Sequence, residues 1–335
     1  MSIRVGIIGT GLIGEDHGRK LAHVIAGATV SAVSDVRRER AVEVAGSLGG
    51  ARVFESGREL IASDQVDAVL VTSIGETHAE FVLACIEAGK PVMCEKPLAP
   101  TVPECEHIVD AEVAHGDRLV VVGFMRRYDP GYRQVKATLE SGSIGEALML
   151  HNVHRNPTVG EAYTSFMTMT DSMIHEVDVT RWLLGEEITA VQLIPPKRTP
   201  MAFPHLQDPQ FAVFTTESGI ISTVEFFANA QYGYDVRCEL VGSLGTASLL
   251  NPVVASTVTA GQEVATVPAD WRVRFSTAYT AELQAWISGL ERGESIGPSA
   301  WEGYAATNVV EVGVDAVMSG ERMAVGYIEK PALYR

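Results

Sequence analysis

Residues 5–14 read Val5-Gly6-Ile7-Ile8-Gly9-Thr10-Gly11-Leu12-Ile13-Gly14, and this stretch decides the fold. The apolar run Val5 to Ile8 leads into a Gly-x-Gly-x-x-Gly turn, and a helical pattern follows. A strand buried on both faces of a parallel sheet reads as such a continuous run, without alternation. In that context each glycine has a task. Gly9 permits the sharp turn, Gly11 lets a diphosphate approach the backbone, and Gly14 lets helix pack close on strand. The diphosphate would sit at a helix N-terminus, where free N–H groups and the helix dipole favour negative charge.

Outward from that turn the pattern repeats. Thr29 to Val33, Ala68 to Val71, Val92 to Cys94 and Leu119 to Val122 are further apolar or β-branched runs. Helical stretches separate them, such as residues 78–90, where Phe81, Ala84, Cys85 and Ala88 share a face and Gly89-Lys90-Pro91 ends the helix. Strand–helix alternation predicts an α/β, doubly wound parallel sheet of the Rossmann type over residues 1–123. Beyond it the chain reads as strands at 145–155, 189–195, 211–242 and 245–250, with turns at Glu217-Ser218-Gly219-Ile220 and Gly242-Ser243-Leu244-Gly245. Helical patterns remain at about 171–184, 279–291 and 299–318. Residues 124–335 therefore read as an α+β domain with a large, mainly antiparallel open sheet.

The 335 residues suit two domains, and their 46% hydrophobic and 20% charged content is that of a globular protein. With 26 basic against 42 acidic side chains, the net charge of −16 argues against nucleic acid or an anionic membrane as partner. Cys85, Cys94, Cys105 and Cys238 are widely spaced, which reads as reduced, buried thiols. The N-terminus reads as a strand and not a signal peptide, and no long uncharged apolar run follows. A cytoplasmic protein is expected.

Asp35 lies about 20 residues beyond Gly14, at the end of the second strand run. A carboxylate there accepts hydrogen bonds from ribose hydroxyls and repels a 2′-phosphate, which favours NAD; Arg37 and Arg38 nearby pull towards NADP. Lys96 follows another parallel-strand run, so it is expected in the crevice of the glycine turn; otherwise it is a solvated surface lysine. Asp171, His175 and Asp178 are spaced i, i+4, i+7, one face of an α-helix. Asp171 reads equally as a helix cap, and His175 as a helix histidine satisfied by its neighbours. A metal is not expected: Val179 stands where His-Glu-x-x-His needs its second histidine, and His151 and His154 point to opposite strand faces. These residues suit alcohol oxidation. Histidine is a base near neutral pH, a carboxylate can fix its tautomer, and a lysine can stabilise charge on the reacting oxygen.

The segments GLIGEDH, EKPLA, VGFMRRYDPGY, HNVHRNPTVG, PHLQDPQ, YGYDVRCELVG and GPSAWEGY, with the Asp171–His175 stretch, extend nearly end to end. Through them the chain resembles the glucose–fructose oxidoreductase/inositol dehydrogenase family. The resemblance implies NAD-dependent oxidation of a secondary hydroxyl of a cyclic polyol, foremost myo-inositol to its 2-keto product. Another inositol stereoisomer or an aldose is the alternative; a cofactor-sensing regulator without turnover is a remote one. It implies Lys96, Asp171 and His175 as catalytic residues, with His175 the proton acceptor. It places the cofactor on Gly9, Gly11, Leu12, Ile13, Gly14, Asp35, Arg37, Thr72, Ser73, His78, Glu95 and Lys96. It places the polyol on Arg126, His154, Asn156, Asp171, His175, Asp178 and Tyr234, and it implies a homotetramer joined through the C-terminal sheet. From alternation alone, His154 with Asn156 and Tyr232 with Tyr234 read equally as pocket lining or sheet surface. The chain departs from its resembling sequences in Thr72-Ser73-Ile74-Gly75-Glu76-Thr77-His78, where those carry a tryptophan and usually a proline.

Overall fold

The structure, a computed structural model, describes residues 2–249 and 256–335. Six strands, β1 (Ile3–Ile8), β2 (Ala28–Ser34), β3 (Arg52–Val53), β4 (Ala68–Val71), β5 (Val92–Glu95) and β6 (Val120–Gly123), form one sheet in the order β3-β2-β1-β4-β5-β6. Every pairing in it is parallel. The order reverses between β1 and β4, and a crevice opens at the carboxyl ends of strands at such a point. Between the strands run α1 (Leu12–His23), α2 (Arg38–Ser47), α3 (Gly57–Ala62), α4 (His78–Glu87) and α5 (Val102–His115).

The continuous apolar runs are buried as expected: β4 has no exposed residue, and Val5, Ile7, Val33, Leu70 and Met93 join one core. Leu21 of α1 and Val44 of α2 close it on one side. In α4 the buried stripe is His78, Ala79, Val82, Cys85 and Ile86. The expected face is displaced: Phe81 and Ala84 are half-buried and Ala88 is exposed. The helix is apolar nearly all round, so periodicity fixes its existence better than its facing.

The second sheet is built from β7 (Ala147–Arg155), β8 (Ile188–Ile194), β9 (Gln210–Thr216), β10 (Ile221–Phe227), β11 (Asp235–Gly242) and β12 (Thr246–Leu249). Leu250, the last residue of an expected strand, lies outside the described residues. A separate hairpin joins β13 (Ser256–Thr259) to β14 (Gln262–Ala265), and the short β15 (Met323–Ala324) completes the seven-stranded order β12-β11-β7-β10-β9-β8-β15. The two expected turns do join antiparallel neighbours, β9 with β10 and β11 with β12. β7 and β10 pair in parallel.

The helices of this half are α6 (Pro130–Glu140), α7 (Ile174–Leu184), α8 (Trp271–Arg292) and α9 (Ala300–Ser319). α6 starts where Asp129 Oδ1 accepts the N–H groups of Gly131 and Tyr132 and Pro130 fills the first position, a cap of about 1 kcal/mol. α8 begins eight residues before the expected 279, because Asp270 Oδ1 takes the N–H groups of Arg272 and Val273. Polar WRVR hides that first turn from an apolar-periodicity reading.

Grouped by contacts, Met1–Met125, Tyr279–Asn308 and Tyr327–Arg335 form one compact unit, and Arg126–Ala278 with Val309–Gly326 form the other. Leu283, Trp286 and Ile287 of α8 belong to the same core as Val5 and Ile7. β1 to β6 lie before residue 124 and β7 to β15 after it, while the contact grouping divides both α8 and α9 between the two units.

Candidate active site

The glycine turn is held by sterics. Gly9 has φ +94°, and a Cβ on it would stand 2.5 Å from the Ser73 nitrogen and 2.6 Å from Ser73 Cα. At Gly14 a Cβ would overlap the Gly9 carbonyl oxygen and stand 2.7 Å from Thr72 Oγ1. That hydroxyl donates to the Gly9 carbonyl at 2.7 Å, so the end of β4 is locked onto the turn. At Gly11 a Cβ would meet nothing within 4 Å. Gly11 caps α1 with no side chain, and the first intrahelical bond runs from the Glu15 N–H to the Gly11 carbonyl. The N–H groups of Leu12, Ile13 and Gly14 precede it. Open space before unspent N–H donors is the geometry a diphosphate needs, so the residues fit a dinucleotide.

Asp35 lies beside this turn. Its Oδ2 accepts the Thr10 N–H at 2.7 Å and the Thr10 hydroxyl at 2.9 Å, and its Oδ1 accepts the Arg37 N–H at 2.9 Å. Burial pushes this carboxyl up, but the bonds from Arg37 and Thr10 outweigh it and hold it below the usual carboxylate range. Two further residues, not among the expected site residues, brace the turn: Thr10 itself, and Arg40, whose Nε donates to the Thr10 carbonyl at 3.1 Å. Of the two arginines that pull towards NADP, Arg38 pairs with Glu55, and Arg37 Nε stands 3.8 Å from Asp35 Oδ1.

The loop after β4 is folded by its own bonds. Gly75–Thr77 form a 3₁₀ turn, and Thr77 Oγ1 lies 2.9 Å from the Ile74 carbonyl and 2.7 Å from Ser73 Oγ. Ile74 and Glu76 are exposed, whereas His78 is buried between the Pro97 and Ser73 carbonyls at 2.6 and 3.1 Å. Thr72, Ser73, His78, Glu95 and Lys96 thus belong, with Gly9 to Gly14 and Asp35, to the carboxyl ends of β1, β2, β4 and β5. Leu12 is exposed and Ile13 and Lys96 are half-buried.

In the second unit, Asp171 lies within a π-helical segment, Thr168–Met173, that runs straight into α7. The i, i+4, i+7 spacing assumed α geometry throughout, whereas Asp171 lies in i→i+5 bonding, and such segments concentrate at functional sites. The cap of α7 is Met173, so Asp171 is not its N-cap. Asp171 is exposed while His175 and Asp178 are buried. α7 is buried almost all round, with nine of its eleven residues inside, so its polar residues are not a solvent-facing stripe. Asp178 takes a forked pair from Arg127, at 3.0 Å to Nε and 2.6 Å to Nη2.

Glu176, which the sequence reading passed over, is the centre of a buried cluster. It pairs with Arg126, and His154 Nδ1 lies 3.2 Å from both its Oε2 and Arg126 Nη2. All three are essentially inaccessible. Burial pushes the Glu176 carboxyl up, but Arg126 and then His154 hold it down at about 2. Burial pushes His154 down. The Tyr234 hydroxyl reaches His154 Nε2 at 3.4 Å, and burial pushes its phenol up to about 12, so it stays an O–H. Phe226, Tyr234 and Phe275 wall the cluster edge-on. Arg126 Nε has no hydrogen-bond partner among the described residues. A glutamate between Ile174 and Val177 was the available signal, since a charge on a buried helix requires a partner.

Arg126, His154 and Tyr234 are therefore brought together. Asn156 lies just past β7, where its N–H donates to the Phe227 carbonyl at 2.9 Å. Tyr232 and Tyr234 do not share a face. Gly233, with positive φ, turns the chain between them, leaving Tyr232 exposed against Asp235 and Tyr234 buried. His151, as expected, points away from His154, to the exposed side with Thr223. Among the described residues no group of three or more His, Cys, Asp or Glu side chains is placed to hold a metal ion. No helix among them is long and apolar enough to cross a membrane.

Comparison with known proteins agrees with this geometry. Residues 3–124 match the oxidoreductase family's NAD-binding Rossmann fold, and residues 136–325 match its C-terminal alpha/beta domain. The chain is 53% identical over 334 residues to inositol 2-dehydrogenase 3 of Saccharopolyspora erythraea, covering 100% of this chain and 98% of that one. It is 49% identical over 335 residues to inositol 2-dehydrogenase of Serratia proteamaculans, covering 100% and 99%. The crystal structure of myo-inositol dehydrogenase from Lactobacillus casei, in complex with NAD(H) and myo-inositol, superposes with a TM-score of 0.97 at 35% identity, covering 100% of both chains. A parallel sheet with a dinucleotide turn, a second sheet with a buried polar cluster, and matches to both family models together place this chain in the Gfo/Idh/MocA oxidoreductase family.

Proposed function

We propose that this oxidoreductase oxidises the 2-hydroxyl of myo-inositol to a ketone with NAD as acceptor. The observation that carries it is the end-to-end match, in both sequence and fold, to a dehydrogenase solved with NAD(H) and myo-inositol. The glycine turn, with its space at Gly11 and its carboxylate at Asp35, supports NAD as the cofactor. Residues 1–123 serve as the cofactor domain and 124–335 as the substrate and assembly domain.

Bound NAD supplies the hydride acceptor. In this reading His175 takes the hydroxyl proton, with Asp171 to orient it and stabilise its charged form. Lys96 holds the reacting oxygen and stabilises the negative charge that develops there. Arg126, His154, Asn156, Asp178 and Tyr234 recognise the other hydroxyls. A misplaced hydroxyl would leave buried polar groups of this set unpaired. A sheet face on which Met149 and His151 are exposed and Val153, Ile221, Thr223 and Phe227 are half-buried supports assembly through the C-terminal sheet into a homotetramer. Cytoplasmic inositol breakdown is the setting this reading implies.

The test is NADH formation by purified protein across a panel of inositol stereoisomers and aldoses, with NAD and NADP side by side. The expected result is turnover with NAD and myo-inositol at mildly alkaline pH. No NADH at saturating myo-inositol refutes the assignment, and faster turnover of another isomer transfers it. Lys96→Met and His175→Ala should each lose at least about 10²-fold in kcat while cofactor affinity is retained.

A further inference from the structure

His17 has no part in the reading above. It lies on α1, three residues past Gly14, with its ring fully buried and tilted onto Tyr279 at 5.2 Å between centroids. Its Nε2 stands 2.8 Å from Glu95 Oε1. A carboxylate oxygen only accepts, so Nε2 donates. Its Nδ1 has no hydrogen-bond partner among the described residues; the nearest carboxylate oxygen, Asp16 Oδ2, is 3.9 Å away. Among the described residues, Glu95 is the ring's one hydrogen-bond partner.

Glu95 is the last residue of β5, and its other oxygen, Oε2, accepts the backbone N–H of Lys96 at 3.2 Å. The carboxyl group has little room. Its register partner on β6 is Gly123, where a Cβ would come 3.1 Å from Glu95 Cδ and 3.2 Å from each oxygen. With one oxygen held by α1, the other by the following residue and β6 pressed against the group, the side chain is confined to one rotamer.

We propose that His17 is a positioning residue for Lys96. Through Glu95 it ties the helix that opens at the glycine turn to the backbone from which Lys96 leaves β5. The inference rests on the role assigned to Lys96 above. Its consequence is kinetic: α1 carries the cofactor turn and β5 carries the lysine, so this tether sets the spacing between them. Misplacement by about 1 Å costs on the order of 10²-fold in rate.

The test compares three substitutions in the full-length protein. His17→Gln keeps an amide N–H near the position of Nε2, His17→Asn falls short of Glu95, and His17→Leu removes the donor while filling space. His17→Leu and His17→Asn are expected to lower kcat about 10- to 100-fold, with KM for myo-inositol and the NADH Kd changed less than about threefold. His17→Gln should recover most of kcat. Hydrogen–deuterium exchange at the Lys96 amide should accelerate in the Leu and Asn variants and stay slow in the Gln variant. Equal kcat in all three, or unchanged Lys96 protection in the Asn variant, overturns the proposal. Should His17→Leu not fold, the Asn–Gln comparison decides. Failure of the functional reading shows separately, as an inert wild type or a fully active Lys96→Met, and exchange at Lys96 reports the tether in either case.

Discussion

Gly11→Ala and Gly14→Ala add the same methyl group three residues apart and should produce opposite phenotypes. At Gly14 the new Cβ overlaps the Gly9 carbonyl oxygen and comes 3.1 Å from the Gly9 carbonyl carbon and 2.7 Å from Thr72 Oγ1. The backbone atoms cannot rotate away, and the hydroxyl is already bonded to that carbonyl. Overpacking of this kind costs about 1–3 kcal/mol, and a backbone clash belongs at the upper end. Alanine's helix propensity returns at most about 1 kcal/mol. A net loss of about 2 kcal/mol lowers Tm by roughly 4–8 °C for a unit of this size. At Gly11 the Cβ meets nothing within 4 Å and the backbone, at φ −66°, is one alanine adopts freely. The only folding cost is the poorer cap, under about 1 kcal/mol. The methyl group instead stands where a diphosphate must approach, so NADH affinity should fall about tenfold or more, at least about 1.4 kcal/mol. Thermal melts without ligand and fluorescence titration with NADH separate the two effects. A Gly11→Ala protein that binds NADH normally, or a Gly14→Ala protein as stable as the parent, would refute this account of the turn.

Two further outcomes follow from the charged groups. Glu176→Gln leaves Arg126 buried without its counter-ion and should destabilise the chain by about 3–5 kcal/mol, read by urea titration; a loss below about 1 kcal/mol would mean the cluster is not closed to water. The parent's Glu176 sits at about 2 against an ordinary 4.5, so the unfolded chain binds its proton first. Its stabilisation is complete above about pH 4.5 and is lost as pH falls towards 2, and Glu176→Gln should flatten that part of the stability–pH curve. Asp35→Ser should weaken NAD binding and narrow the NAD-over-NADP preference by about tenfold, since the carboxylate that repels a 2′-phosphate is gone. An unchanged cofactor ratio in steady-state kinetics would show that Asp35 serves only to hold Thr10.

The parallel sheet was legible because its strands are buried on both faces, and Val5 to Ile8 or Ala68 to Val71 need no alternation to be read. The glycine turn and Asp35 were legible because their chemistry is local. Lys96, Asp171 and His175 were readable as residue types at suggestive spacings, but the π-helical turn that carries Asp171 was not, since nothing in TMTDSM announces i→i+5 bonding. Glu176 was missed for a related reason: its partners Arg126 and His154 are 50 and 22 residues away, and no spacing rule reaches them. Tyr232 and Tyr234 were paired by alternation, and positive φ at Gly233, the residue between them, broke it. Facing and long-range pairing, the parts that did not read out, are set by tertiary contacts.

The late return of the chain to the first unit bears on how the protein is made. Leu283, Trp286 and Ile287 fill the core around Val5, Ile7 and Leu21, and Tyr334 at the far end bonds Glu112. On the ribosome, at about 5–20 residues per second, Trp286 follows Gly123, the end of β6, by roughly 8–33 s. Throughout that interval the nascent parallel sheet has one apolar flank uncovered. It is then a client for chaperones rather than a finished domain, and a messenger truncated before α8 would yield a product that aggregates, whatever the quality of its glycine turn.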